Sequence, residues 1–136
     1  MASNLPARFA FPKLVVRDLH KQAQFYRAVI GYEEGQFLTG DIKGRAVEEF
    51  IFTSADGAVE LLVMAFVDGG PAPAPGAMIS GFYTEDLEAF EARVLAAGGT
   101  VHQPIGPMGT PGMDARLAFY ADPEGHLLEV IEWAKK

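Results

Sequence analysis

Val16-Arg17-Asp18-Leu19, followed by a glycine at Gly31, returns as Thr84-Glu85-Asp86-Leu87 followed by Gly99, with both features displaced by 68 residues. The turn pair Asp56-Gly57 returns as Glu124-Gly125 at the same offset, and the carboxylate Glu60 returns as Glu129 at 69. A chain whose second half repeats its first folds as two copies of one unit. A site built between two such copies draws one set of side chains from each, so the question of function narrows to a few paired positions.

Working outward from the first copy, residues 8–17 (RFAFPKLVVR) are rich in β-branched and aromatic side chains with a proline near the start, which predicts a strand whose ladder begins after Pro12. Asp18 is a helix cap. Leu19, Ala23, Tyr26 and Ile30 follow at helical spacing on one face, and Gly31 ends the helix. Residues 33–38, 46–53 and 58–66 read as three strands, the last two joined by the Ala55-Asp56-Gly57 turn. Residues 67–76 carry a run of prolines and glycines (DGGPAPAPG) that suits neither helix nor central strand and reads as a linker. The pattern then restarts with a strand over 77–83 and a helix capped by Asp86, with Leu87, Phe90, Val94 and Ala97 on one face and Gly98-Gly99 at its end. Strands follow over 100–103, 115–121 and 126–133, the last two joined by Asp122-Pro123-Glu124-Gly125. Residues 105–114 (IGPMGTPGMD) read as a loop. The fold class is α+β: two βαβββ modules in tandem, over 8–66 and 77–133, in one domain spanning 1–136.

Composition narrows the partners. With 136 residues, 49% of them apolar, the chain has enough core for one compact domain, whereas each half alone is marginal. A net charge of −7 and a pI near 4.8 argue against nucleic acid or an anionic membrane as partner and suit a cationic ligand. No cysteine is present, which removes disulfides and thiolate chemistry. Residues 1–11 hold no apolar run of signal-peptide length and no stretch approaches the roughly 18 apolar residues of a spanning helix. The expectation is a cytoplasmic protein.

Arg17-Asp18-Leu19 with Phe25-Tyr26-Arg27 and Ile30-Gly31-Tyr32, then Glu85-Asp86-Leu87, then Asp122-Pro123-Glu124-Gly125-His126-Leu127-Leu128-Glu129, together resemble the vicinal oxygen chelate superfamily. That superfamily includes glyoxalase I, bleomycin-resistance proteins, fosfomycin-resistance enzymes and extradiol dioxygenases. The resemblance covers nearly the whole chain. It implies that the paired modules form a cup-shaped mixed sheet around a ligand groove and that the chain is a homodimer. It also implies a divalent metal held by a residue of the first and of the last strand of each module, often a histidine seven residues ahead of the Asp-Leu pair. Here those first-strand positions are Phe11 and Ile79, neither of which offers a lone pair. Glu60 and Glu129 keep ligand chemistry at the last strands.

Two carboxylates without an imidazole fall short of the ligand set that tight transition-metal binding needs, while a hydrated Mg²⁺ or Mn²⁺ tolerates so few. If Glu60 and Glu129 face each other in a partly dry pocket, repulsion holds one proton between them. Phe11 in place of a ligand gives the groove an apolar floor. His102 alternates with Val101 on a short strand and is a further ligand-contact candidate, whereas His20 reads as solvated and His126 as a strand-edge side chain. Phe50, Phe52, Met64, Met108, Met113, Phe119 and Trp133 read as core. The reading adopted is a protein that binds a small organic, cationic molecule through Phe11, Glu60, Ile79, His102 and Glu129, with no cofactor. The alternatives are a metal-dependent lyase, isomerase or dioxygenase that uses Glu60 and Glu129 as metal ligands, and a scaffold that binds nothing.

Overall fold

The computed structural model of the chain describes residues 6–7 and 9–135; Arg8, where the sequence places the start of the first strand, lies outside the described residues. The elements are β1 (Lys13–Val15), α1 (Leu19–Ile30), β2 (Gln36–Ile42), β3 (Arg45–Thr53) and β4 (Val59–Phe66), then β5 (Ile79–Tyr83), α2 (Leu87–Ala96), β6 (Thr100–Pro107), β7 (Ala115–Ala121) and β8 (Leu127–Trp133). This is βαβββ twice, the α+β architecture that the repeat predicts. The strands form two four-stranded mixed sheets, β1-β4-β3-β2 and β5-β8-β7-β6. In each, first and last strand pair in parallel while the remaining pairs are antiparallel. Two neighbouring parallel strands need a crossover, and the helix of each repeat lies in it.

Contacts divide the chain into two units, residues 1–19 with 32–72, and residues 20–31 with 73–136. In the first unit, alternation and register place Leu14, Val16, Phe50, Phe52, Leu61 and Val63 on one face of the sheet, all buried. The opposite face carries Lys13, Val15, Glu49, Ile51, Leu62 and Met64. Strand β2 begins three residues later than the sequence predicts and runs on to Ile42. The cause is a tight hairpin at Lys43-Gly44, both with positive φ (50° and 82°), whose Gly44 N–H donates to Asp41 Oδ1 at 2.9 Å. Such a two-residue turn extends both strands to its edge.

The second unit contains its own helix and α1 as well. Helix α2 starts where two carboxylates meet free N–H groups: Asp86 Oδ1 accepts from Ala89 N at 3.0 Å and Glu132 Oε2 from Leu87 N at 2.9 Å. It buries Leu87, Phe90 and Val94 against the sheet face of Ala118, Tyr120, Leu128 and Val130, with the Phe90 and Tyr120 rings stacked at 5.8 Å. Helix α1 buries more than the one predicted face: Gln22, Phe25 and Val29 are buried beside Leu19, Ala23 and Tyr26.

What binds α1 here is Asp122. Its buried carboxylate accepts from Gln22 Nε2 at 2.7 Å and Tyr26 Oη at 2.8 Å, and from the backbone of Glu124 and His126 at 2.9 and 3.0 Å. Gly99 keeps the approach close, since a Cβ there would meet Val94, the Ala121 carbonyl and the Phe25 ring, all under 3.0 Å. Strand β6 runs to Pro107, so residues 105–107 of the predicted loop belong to it. As an edge strand with two register irregularities, it tolerates Pro104 and Pro107 because no ladder donor is required on its outer side. His126 stands one residue before β8 and is buried. Met113 and Trp133 are exposed rather than core. None of the described helices is long and apolar enough to cross a membrane.

Candidate functional site

On the first sheet Glu49 and Glu60 each meet a donor. On the face carrying Val15, Leu62 and Met64, Lys13 Nζ pairs with Glu49 Oε2 at 3.0 Å. Neither residue stands out in the sequence, although Lys13 alternates with Phe11 and Val15 and so shares their face. Glu60 sits at a β-bulge. Val59 faces Thr53 and Leu61 faces Phe52, which leaves Glu60 as the extra residue of β4. Its Oε1 accepts from Tyr32 Oη at 2.6 Å, and the Tyr32 ring stacks on Phe52 at 5.0 Å and 5°. Burial, reinforced by the Glu60 hydrogen bond and charge, pushes the Tyr32 hydroxyl well above the usual tyrosine range, so it stays a donor.

The second sheet is different. Lys13 and Gly81 stand equally far before the paired aspartates, and they face Leu62 and Glu129 respectively. By register, then, the counterpart of Glu129 is Leu62 and not Glu60: the 68-residue offset of the repeat points to Leu61, and the bulge adds one residue to β4 that β8 lacks. Glu129 is half-buried between Gly81 on β5 and Phe119 on β7. Its face also carries Ile79, Tyr83, Leu117, Leu127, Ile131 and Trp133. A Cβ at Gly81 would meet nothing within 4 Å, so a notch lies beside the carboxylate.

Of the other positions, Phe11 (41%) and Ile79 (51%) are exposed. Leu62 N donates to Pro12 O at 3.1 Å as part of the Lys13–Leu62 pair with which the β1 register begins, so Phe11 precedes the ladder. His102 is exposed and is itself a bulge residue, since Val101 faces Tyr120 while Gln103 faces Phe119. Its alternation with Val101 is therefore broken.

A separate acidic group, Asp86, Glu88 and Glu132, has ligand oxygens within 4.8 Å of one another. Arg116 fills it: its guanidinium donates to both Glu88 oxygens at 2.9 Å and to Glu132 Oε1 at 2.7 and 3.0 Å. Asp86 and Glu132 also cap α2. The Leu87 N–H, then Arg116, holds the Glu132 carboxyl below its ordinary range, and Arg116 does the same to Glu88. These are structural anions, with their charge and lone pairs already committed.

The aromatic end of the second sheet escapes sequence reading. Tyr83 (75% exposed) and Trp133 (42%) meet edge to face with ring centroids 6.1 Å apart. They line a cavity of about 450 Å³ with Thr84, Glu85, Ala134 and Lys135. The signal was the shared parity of Tyr83, Glu129 and Trp133 on paired strands, which only the register makes visible.

Among solved structures, a glyoxalase family protein from Bacillus cereus is similar at a TM-score of 0.77 and 19% identity, covering 99% of both chains. A glyoxalase/bleomycin resistance protein from Albidiferax ferrireducens T118 gives 0.64 at 24% identity over 93% of this chain and 98% of that one. A mutant of the fosfomycin resistance protein FosX from Listeria monocytogenes, complexed with Mn(II) and 1S,2S-dihydroxypropylphosphonic acid, gives 0.68 at 21% identity over 97% and 95%. No curated protein matches the chain. At these identities the likeness speaks for the fold. A family model covers residues 8–130, and by that match the chain belongs to the Glyoxalase/Bleomycin resistance protein/Dioxygenase superfamily.

Proposed function

We propose that the protein binds a small organic cation at Glu129, without a metal ion. The observation that carries this reading is the setting of Glu129: a half-buried carboxylate on an apolar and aromatic sheet face, in no ion pair among the described residues, with an open notch at Gly81. A carboxylate in that position favours a ligand that brings its own positive charge. Ile79, two residues from Gly81 on the same face, supplies apolar contact.

The donor set does not fit the divalent metal that the family implies. Phe11 and Ile79 are hydrocarbon at the first-strand positions. Glu60 accepts a hydrogen bond from Tyr32, and the register counterpart of Glu129 is Leu62, which offers no lone pair. Single carboxylates do not make a tight transition-metal site. No role in the ligand site is assigned to Phe11 or His102. A homodimer is part of the reading, and light scattering on the purified protein checks it.

The test has two parts. Elemental analysis after incubation with Mn²⁺ and desalting is expected to find no stoichiometric metal. Calorimetry is expected to find hexylammonium bound at least tenfold more tightly than hexanoate, with the preference lost in Glu129→Gln. Near-stoichiometric Mn²⁺ that disappears in Glu129→Gln overturns the reading in favour of a metal-dependent enzyme using Glu60 and Glu129.

A further inference from the structure

Tyr83 and Trp133 expose much of their rings on the sheet face that also carries Glu129. Large aromatic side chains left in water at a concave site are a standing gain for any flat apolar partner. Their cavity, of about 450 Å³, is of the size that a bicyclic ring fills. Its rim holds both Glu85 and Lys135. The two charges offset each other, so the rim favours neither a second cation nor an anion, and the group that suits the aromatic pair is a neutral ring. The charge of the ligand belongs at Glu129.

The strand register fixes the span between the two. Tyr83 faces Ile131, two residues beyond Glu129, and Trp133 lies four beyond it. At a rise of about 3.3 Å per residue the rings stand roughly 7 to 13 Å along β8 from the carboxylate. Between them the face is Ile131 and Leu117, an apolar surface that suits a methylene chain.

We infer that the ligand of this site is an amphipathic amine: an ammonium group held by Glu129 and a neutral planar aromatic ring held by Tyr83 and Trp133, joined by an apolar linker of about 10 Å. The inference rests on the cation reading above and adds to it the ring, its position and the length of the molecule.

Trp133 is the chain's one tryptophan, so its emission reports on a dansyl group bound anywhere on this face, and Tyr83→Ala reports on the ring subsite. The probe is monodansylcadaverine, which carries a primary ammonium, a five-carbon linker and a dansyl ring that accepts energy from tryptophan. Two controls separate the parts: N-dansyl-6-aminohexanoic acid keeps the ring and reverses the charge, and 1,5-diaminopentane keeps the amine and removes the ring. The expected result is saturable quenching of Trp133 by the amine probe, binding at least tenfold weaker for the dansyl acid, and no quenching by the diamine. Tyr83→Ala and Glu129→Gln each weaken the amine probe at least tenfold, while Tyr83→Phe retains binding; thermal melts check that each variant is folded.

If the probe binds in a Glu129-dependent way but is indifferent to Tyr83→Ala, the ring subsite is wrong and the cation reading survives. Equal quenching by amine and acid that persists in Glu129→Gln overturns the amphipathic amine. The absence of any saturable signal at millimolar probe also overturns it, with the hexylammonium calorimetry then deciding separately whether Glu129 binds cations at all.

Discussion

In the first unit Glu49 and Glu60, though not Glu48, meet a donor among the described residues: Glu49 at Lys13 and Glu60 at Tyr32. In the second, Glu129 meets no hydrogen-bond donor or ion-pair partner among the described residues, while Asp122 and Glu132 are saturated. The turns before β4 and β8 show how two copies come to differ. Ser54 and Asp122 are equivalent, both donating their N–H across the turn, to Ala58 O at 2.8 Å and His126 O at 2.9 Å. Ser54 only bonds within its own turn, to Asp56 and Ala58, whereas Asp122 reaches Gln22 and Tyr26 of α1. At the matching places α2 has Phe90 and Val94, which need no acceptor. One substitution pattern, polar in α1 and apolar in α2, thus accompanies the grouping of α1 with the second unit.

The largest effect that can break this comparison comes from Asp122. Asp122→Ala strands two side-chain donors and two backbone N–H groups in a buried place, and is expected to cost ~3 kcal/mol or more in denaturant unfolding. Ser54→Ala at the equivalent exposed turn is expected to cost about 1 kcal/mol or less. Similar losses at both would mean that the turns do the same job. Next is Gly81→Leu, which fills the notch beside Glu129. It is expected to weaken hexylammonium about tenfold, some 1.4 kcal/mol, with Tm nearly unchanged, since a Cβ there meets nothing within 4 Å. A large fall in Tm instead would mean that the notch is packing space.

The third effect is on acid stability. Each unit has an Arg–carboxylate cluster, Arg45 with Asp68 at 2.6 Å and Arg116 with Glu88 and Glu132. Hydrogen bonds from Arg45, then from the Gly70 N–H, hold Asp68 well below its ordinary range, as the Leu87 N–H and Arg116 hold Glu132. A carboxyl depressed in the folded state contributes stability that is present above its unfolded pKa, near 4, and is lost as pH falls through the lower folded value. Tm is therefore expected to be flat from pH 7 to about 5 and to fall below about 4. Asp68 is held further below its ordinary range than Glu132, so Asp68→Asn flattens that fall more than Glu132→Gln, which also keeps an acceptor for Leu87. An equal effect of both would place acid sensitivity evenly in the two units.

The repeat of Asp-Leu starts, closing glycines and turn pairs made the element order legible, because those local signals depend on backbone geometry that any copy must keep. Strand ends were less legible where a neighbour sets them: β2 is extended by the Lys43-Gly44 hairpin and β6 runs through prolines that only an edge position allows. The pairing of Glu60 with Glu129 was misaligned for a sharper reason. Its 69-residue spacing already departs by one from the 68 of the other paired signals, and a bulge adds one more residue to β4 without leaving a composition signal, so the ladder stands two residues away from the pairing by like side chains. Trp133 read as core because its apolar size says nothing of the face on which it stands.

The smallest effect tests whether that bulge separates the two units in function. Tyr32→Phe keeps the ring stacked on Phe52 and removes the donor to Glu60, for an expected loss of about 1 kcal/mol. Glu60 then stands without its hydrogen bond, as Glu129 does. If lack of a donor alone made a carboxylate a cation site, the variant would bind a second hexylammonium by calorimetry. The expected stoichiometry stays at one per chain, because Glu60 is exposed and water already solvates it, whereas Glu129 is half-buried beside Phe119 and a notch. A stoichiometry of two would put the difference between the units in Tyr32 alone.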